Sequence, residues 1–256
     1  MIIPCAAVAA PAGKIFVEGT DDSQDIMKAL AGKFEQLYPG ASVIVPDSIG
    51  SSGGIRRVRE GKTDLGRTSR PLDQNEMKYG LTYLVFAKAP VVFFSNDIDV
   101  EGLTYEQITG IYSGRISNWS QLGGEERKIY HVGREAGDSS RRVLGRYIPG
   151  FKETAGGGKI YYTNSETINA VKNHKSTIGY GPMSAVIKTG LKVTRVNGVY
   201  PSPENASKGS YELTAPFGVV YMKNNLIPLA EAFVNFLYSA EGRRTIREYG
   251  CYPVGR

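Results

Sequence analysis

From Lys14 onward, short apolar runs alternate with segments whose apolar residues recur every three or four positions. KIFVEG (14–19) predicts a strand. In the next stretch, DDSQDIMKALAGKFEQLYPG, Ile26, Leu30, Phe34 and Leu37 share one helical face. Asp21 or Asp22 is available to cap that helix, and Pro39-Gly40 stops it. SVIVPDS predicts a strand, and GSSGG leads into a helix over GIRRVREG that Gly61 closes. TDLGRTSRPL predicts a strand with a turn, and LTYLVFA and PVVFFSN predict two more apolar strands. LTYEQITGIYSG predicts a helix capped at Thr104, with Ile108 and Ile111 inward. KIYHVG and TIGYG follow as strands, and DSSRRVLGRYI, SETINAVKNHK and PMSAVIKTG as helices. YELTAPFGVVYM predicts the last long strand, before a helical run from about Pro228 to Tyr249. AGGGK (155–159) and YPSPENASKGS (200–210) predict long loops. Strands alternating with helices imply an α/β fold with largely parallel sheets.

A length of 256 residues suits one large domain or two modest ones. With 41% hydrophobic and 22% charged residues the chain can bury a core, which excludes a disordered polymer. Glycine is in excess, 31 of 256 residues, and predicts turns and close backbone approaches. Thirty-one Lys and Arg against 25 Asp and Glu leave a net charge of +6 and point to anionic partners. The charges are interspersed, however. IRRVREGK, SSRRVLGR and GRRTIRE read as solvated helix faces, so no nucleic-acid partner is expected.

Cys5 and Cys251 form no metal-ligand spacing, and His131 and His174 are the only histidines, so no metal site is expected. The start, MIIPCAAVAAPAGK, places Ala-Val-Ala-Ala after a short apolar stretch, as at a leader cleavage site, although a charged leading region is missing. Residues 1–13 are read as a residual secretory leader or a disordered segment. Cleavage near Ala10 would remove Cys5 and leave Cys251 unpaired. No other apolar stretch reaches the roughly 18 residues of a membrane helix.

Three segments between a strand and a helix are rich in small polar residues: GTDDS (19–23), GSSGG (50–54) and REAGDSS (134–140). A helix start offers unpaired N–H groups and a positive dipole end, glycine admits an anion to the backbone, and hydroxyls add donors. With Arg70 and Arg134 nearby in sequence, the three suggest a small oxyanion held mainly by neutral donors. GSSGG also satisfies the G-x-S-x-G pattern of hydrolases, with Ser52 as nucleophile, then Asp99, then His131 or His174. Pro46-Asp47 suits the strand before such an elbow poorly, and no HGGG loop supplies an oxyanion hole. EGKT (60–63) lacks a phosphate-loop glycine, because Arg56 stands in its place. Trp119 reads as a packing residue.

VEGTDDS, PDSIGSSGGIRRV, TDLGRTSRPL, LTYEQITGIYSGRISNWSQLGG, VGREAGDSSRRV and TIGYGPMSA occur in this order over nearly the whole chain. Together they resemble the periplasmic phosphate-binding proteins of ABC transporters. The resemblance implies a two-lobed periplasmic-binding-protein fold with the ligand in the inter-lobe cleft, and hinge closure around it. It also implies a monomer in the periplasm, delivery to a membrane permease, no cofactor and no catalysis. Lobe 1 is expected over residues 14–88 plus 217–256 and lobe 2 over 89–216. Cys5 follows IIP, a poor lipid-attachment sequence, and leaves membrane association open.

Carried over residue by residue, Ser51 and Ser52 fall on the family's ligand-binding serine loop, Arg134 on its anion-pairing arginine, and Ser139 and Ser140 on its donor loop. Thr20, Ser69 and Arg70 would close the site from the first lobe. Three departures stand out. Asp21 and Asp22 fall where the family has threonine and a backbone donor, Asp138 where serine is common, and Ser69 where some members place a proton-accepting aspartate. An ionised carboxylate only accepts hydrogen bonds, so it repels a deprotonated oxyanion yet can take the P–OH proton of hydrogen phosphate. Asp138, Asp21 or Asp22 is therefore expected to supply the acceptor missing at Ser69. The alternatives are a sensor for another anionic ligand and the Ser52 hydrolase.

Overall fold

The computed structural model describes residues 12–154 and 158–256. Cys5, most of the leader reading and Ala155–Gly157 of the AGGGK loop lie outside the described residues. The first elements are β1 (Gly13–Gly19), α1 (Gln24–Leu37), β2 (Ala41–Ile44), α2 (Gly50–Arg59), β3 (Leu65–Thr68), α3 (Gln74–Met77) and β4 (Leu81–Ser95). Then come β5 (Gly102–Leu103), α4 (Tyr105–Ser113), β6 (Tyr130–Arg134), α5 (Ser139–Tyr147), α6 (Phe151–Thr154), β7 (Lys159–Tyr161), α7 (Asn164–Asn173) and β8 (Thr177–Pro182). The chain continues through α8 (Met183–Val186), β9 (Lys192–Val193), β10 (Arg195–Val196), α9 (Pro203–Lys208) and β11 (Thr214–Met222). It ends with α10 (Pro228–Leu237), α11 (Ala240–Glu248) and β12 (Tyr252–Pro253).

The main strands follow the order β2-β1-β3-β11-β4-β8-β6-β7. β1 runs parallel to β2 and β3, and β6 parallel to β7 and β8. The centre is antiparallel: β11 opposes both β3 and β4, and β4 opposes β8. The sheet is therefore mixed rather than largely parallel. LTYLVFA and PVVFFSN, predicted as two strands, are one 15-residue strand. Leu81–Pro90 lie in register with β11, and Val91–Ser95 with β8. Pro90 has no N–H to donate, and it stands where the ladder passes from one neighbour to the other. The predicted terminal helix is likewise two helices, because the Ser239 hydroxyl accepts from Gly242 N–H at 3.1 Å and starts α11. The predicted loop at 200–210 contains α9, capped by Ser202.

α1 buries Ile26, Leu30 and Phe34, whose ring meets Phe233 and Phe236 at centroid distances of 5.3 and 5.5 Å. Leu37, expected on that face, is 54% exposed at the helix end. Trp119 is buried and its indole N–H donates to the Ser176 carbonyl at 3.1 Å, a packing role. Thr104 caps α4 as expected, in a reciprocal box with Gln107.

Two contacts position the turn that follows β1. Arg67 on β3 is wholly buried. Its guanidinium donates to the Thr20 carbonyl at 2.9 Å, the Pro46 carbonyl at 2.8 Å, Gln24 Oε1 at 2.9 Å and the Val17 carbonyl. Burial pulls its pKa down to about 10, so it stays cationic at neutral pH. On the other side, α2 lies against β1 with no room for a side chain at Gly54. A Cβ there would sit 2.6 Å from the Glu18 carbonyl oxygen and 2.8 Å from Gly19 Cα. Gly54→Ala should push α2 off β1 and cost about 1–3 kcal/mol of stability, read as a lower midpoint in urea unfolding.

Candidate functional site

The turn after β1 carries Thr20, Asp21 and Asp22. Thr20 joins a buried hydroxyl group with Ser69 and Ser51: Ser69 Oγ donates to Thr20 Oγ1 at 3.2 Å, and Ser69 N–H donates to Ser51 Oγ at 3.2 Å. Neither aspartate caps α1. The position before that helix is Ser23, whose side chain makes no capping bond. Instead, the aspartates reach elements on the far side of β4. Asn164 N–H, at the start of α7, donates to Asp21 Oδ2 at 2.5 Å. Ser140 Oγ on α5 donates to Asp22 Oδ2 at 3.2 Å, Asn164 Nδ2 to Asp22 Oδ1 at 3.4 Å, and Ser184 Oγ on α8 to the Asp22 carbonyl at 3.2 Å.

Arg134 ends β6 and is 1% exposed. One Nη donates to Asn164 Oδ1, and the other to the Tyr162 carbonyl at 3.1 Å. The second Nη also lies 3.2 Å from Asp138 Oδ2 and 3.8 Å from Asp21 Oδ2. The backbone is fixed as well, since Arg134 N–H donates to the Tyr180 hydroxyl at 3.0 Å. Tyr180 is held in an aromatic cluster, with ring centroids 5.6 Å from Phe151, 5.7 Å from Tyr112 and 6.1 Å from Phe93. Arg134 Nε makes no hydrogen bond among the described residues and faces Glu135 Oε2 at 3.6 Å.

Asp138 caps α5, its Oδ1 accepting from Arg141 N–H at 2.7 Å. Ser139 and Ser140, the first helical residues, are buried beside it. Burial raises the Asp138 pKa to about 8, Asp22 adds to the rise, and Arg134 opposes it. Burial likewise raises Asp22, against the pull of Arg134 and with a further push from Asp21. For Arg134, burial works against the charged form, but Asp138 and Asp22 outweigh it and raise the pKa. Two buried carboxyls thus flank one guanidinium, and burial disfavours both being ionised together.

The structure therefore brings Asp21, Asp22, Arg134, Asp138 and Ser140 into one cluster. Thr20, Ser51 and Ser69 adjoin it through the β1 turn, and Ser69 and Ser139 share the wall of one cavity. Ser52 and Arg70 are not part of that cluster. GSSGG lies inside α2 rather than ahead of it, so Ser51 is buried while Ser52, one residue on, is exposed. Arg70 donates to Ser52 Oγ at 2.8 Å and grips Glu76 with both Nη atoms at 2.6 and 2.7 Å. The hydrolase geometry is not assembled. Ser52 is the third residue of a helix rather than the tip of an elbow. His131 and His174 line a separate groove with Tyr130 and Lys159. Sequence reasoning missed Asn164, Tyr180 and Ser184. Asn164 follows the Thr163–Glu166 capping box and reads as an ordinary helix start, so nothing local marks its contacts with Asp21, Asp22 and Arg134.

A family model described as a PBP superfamily domain matches residues 5–241. The chain belongs to the PBP superfamily. Among solved structures, a phosphate ABC transporter substrate-binding protein with bound phosphate from Clostridium perfringens is similar. It superposes with a TM-score of 0.85 at 29% identity, over 94% of this chain and 100% of that one. An ABC-type phosphate transport receptor from Vibrio cholerae gives 0.70 at 30% identity, over 93% and 99%. The phosphate-binding protein PstS of Bacillus subtilis is 26% identical over 94% of this chain and 81% of its own length. This PBP-superfamily chain shares the two-lobed α/β fold of those structures.

The raised carboxyls give the stability of this PBP chain a definite pH dependence. The folded state keeps a proton on Asp138 that the unfolded chain releases near 3.8. Its stabilising contribution is complete below that value and is lost as pH rises to about 8. Asparagine caps a helix as well as aspartate but does not titrate. In phosphate-free buffer at pH 8.5, Asp138→Asn should raise Tm by about 2–4 °C, corresponding to roughly 1 kcal/mol. The advantage should shrink as pH falls and vanish only below about pH 4 in the same thermal melts.

Proposed function

We propose that the chain is an extracytoplasmic solute-binding protein that captures inorganic phosphate and hands it to the permease of an ABC transporter. One observation carries this reading: a buried arginine and buried carboxyls meet hydroxyls and helix starts from both sides of β4. The family membership and the phosphate named for the Clostridium and Vibrio proteins support the same ligand. A secretory leader, a monomeric state and delivery to a permease belong to this reading. Among the described residues no helix is long and apolar enough to cross a membrane.

The chemistry is recognition without bond breaking. Arg134 offers its unused Nε–H, the first turn of α5 offers the Ser139 hydroxyl and backbone N–H groups, and Thr20 and Ser51 add hydroxyls from the other lobe. Asp22 and Asp138 share a single proton. The ionised member accepts the P–OH hydrogen of the ligand, and the protonated member donates to another of its oxygens. Sulfate brings no proton to the ionised carboxylate and is repelled there. Closure joins the β1 turn to α5, α7 and α8, and opening releases the anion. The lobes follow the boundaries 14–88 plus 217–256 and 89–216. The change of partner along β4 at Pro90–Val91, and the register of Thr214 with Pro90, support this division. Ser52, held by Arg70, has no catalytic part.

Calorimetric titration with phosphate, arsenate, sulfate and molybdate at neutral pH tests the reading. Phosphate and arsenate should bind at least about 100-fold more tightly than sulfate, equivalent to some 2.7 kcal/mol. Asp138→Asn should weaken phosphate about 10-fold or more and narrow the phosphate–sulfate ratio. Sulfate binding as tightly as phosphate would sink the proton-acceptor account.

A further inference from the structure

A cavity of about 150 Å³ opens beside the anion site, with Ser69 and Ser139 in its wall. Arg70, Arg142, Arg146 and Tyr147 also line it. Ser139, Arg142 and Arg146 fall at spacings of three and four on α5, so they form one stripe along the helix face turned to the cavity. Arg70 is already neutralised by Glu76. Arg142 and Arg146 are different. Both are exposed, and neither takes part in an ion pair among the described residues. Arg146 lies 5.6 Å over the Tyr147 ring, which leaves its charge intact. Like charges at this spacing repel on a helix, and among the described residues no ion pair offsets that cost.

The site itself is poor at attracting an anion from a distance. Arg134 faces Asp21 and the proton-sharing Asp22–Asp138 pair, so ionised carboxylates outnumber it two to one, and the chain's net +6 is spread over the surface. Charges more than about 8 Å away are largely screened at physiological ionic strength. A local cationic cleft focuses the field where a dispersed excess does not.

We propose that the Arg142–Arg146 face of α5 is the entry site for the anion. It captures phosphate transiently and passes it along the helix to Ser139 and Arg134. Arg146 and Ser139 are seven residues apart, or about 10 Å of helix rise, so the two arginines span the screened distance between solvent and the buried site. They set the association rate and make no contact with the anion in its final position. The proposal rests on the phosphate reading above.

Stopped-flow binding of inorganic phosphate, at low salt and at physiological salt, tests it on the full chain. Arg142→Glu with Arg146→Glu should lower the association rate constant about 10-fold or more at low salt and leave the dissociation rate constant within about twofold. The dependence of association on ionic strength should flatten. Arg142→Gln with Arg146→Gln should show the same pattern more weakly, and it stands in if the charge reversal disturbs folding. An unchanged association rate, or a loss carried by faster dissociation, would overturn the entry role while leaving phosphate binding intact. Wild-type protein that binds no phosphate would instead overturn the underlying reading.

Discussion

A guanidinium removed from water must be compensated on the spot, and the compensation of Arg134 organises the two-lobed molecule. Its partners come from four places in the chain: the β1 turn through Asp21, the start of α5 through Asp138, the start of α7 through Asn164, and the Tyr162 carbonyl. Asn164 then ties the same arginine to Asp22, and Asp22 holds Ser140. The groups that neutralise the charge are therefore also the groups that tie the β1 turn to α5 and α7. A second buried arginine, Arg67, works in a different way. It donates to backbone carbonyls and to Gln24, and so fixes the β1 turn through neutral acceptors. One arginine shapes the turn, and the other gives it something to reach.

The same arrangement leaves the pocket richer in acid than in base. That would be a strange design for a rigid trap for any anion, and a sensible one for an anion that carries a proton. Neutral donors at helix starts supply attraction that does not depend on the ligand's protonation state. In the proposed reading the carboxyls supply discrimination that does. In the entry role proposed above, the long-range pull comes from elsewhere, from basic side chains on the exposed face of α5. Attraction at a distance and selection at contact are assigned to different residues.

Much of this was legible in the sequence, for local reasons. The periodicity of α1, the Thr104 box and the strand–helix alternation depend on neighbours within a few residues, which a sequence displays directly. Arg134, Ser139 and Ser140 stood out because a helix start after a strand is a recognisable oxyanion frame. What failed depended on distant partners. Asp21 and Asp22 read in the sequence both as site acceptors and as helix caps, and the capping expectation fails because Asn164 and Ser140 reach them from more than a hundred residues away. Ser51 and Ser52 looked alike until α2 began at Gly50, four residues earlier than expected, turning one inward and the other out to Arg70. β4 looked like two strands because Pro90 interrupts its pattern, yet a residue without an N–H is tolerated where a strand changes neighbours.

The central claim is that a proton-bearing oxyanion is held between Arg134 and the carboxyl pair. An atomic-resolution crystal structure of the phosphate complex tests this most directly. The expected result is an anion between the lobes with one oxygen on the Arg134 guanidinium, and another at a short distance, about 2.5–2.7 Å, from a carboxylate oxygen of Asp138 or Asp22. An anion bound only by hydroxyls and N–H groups, with both carboxylates out of hydrogen-bond reach, would contradict it.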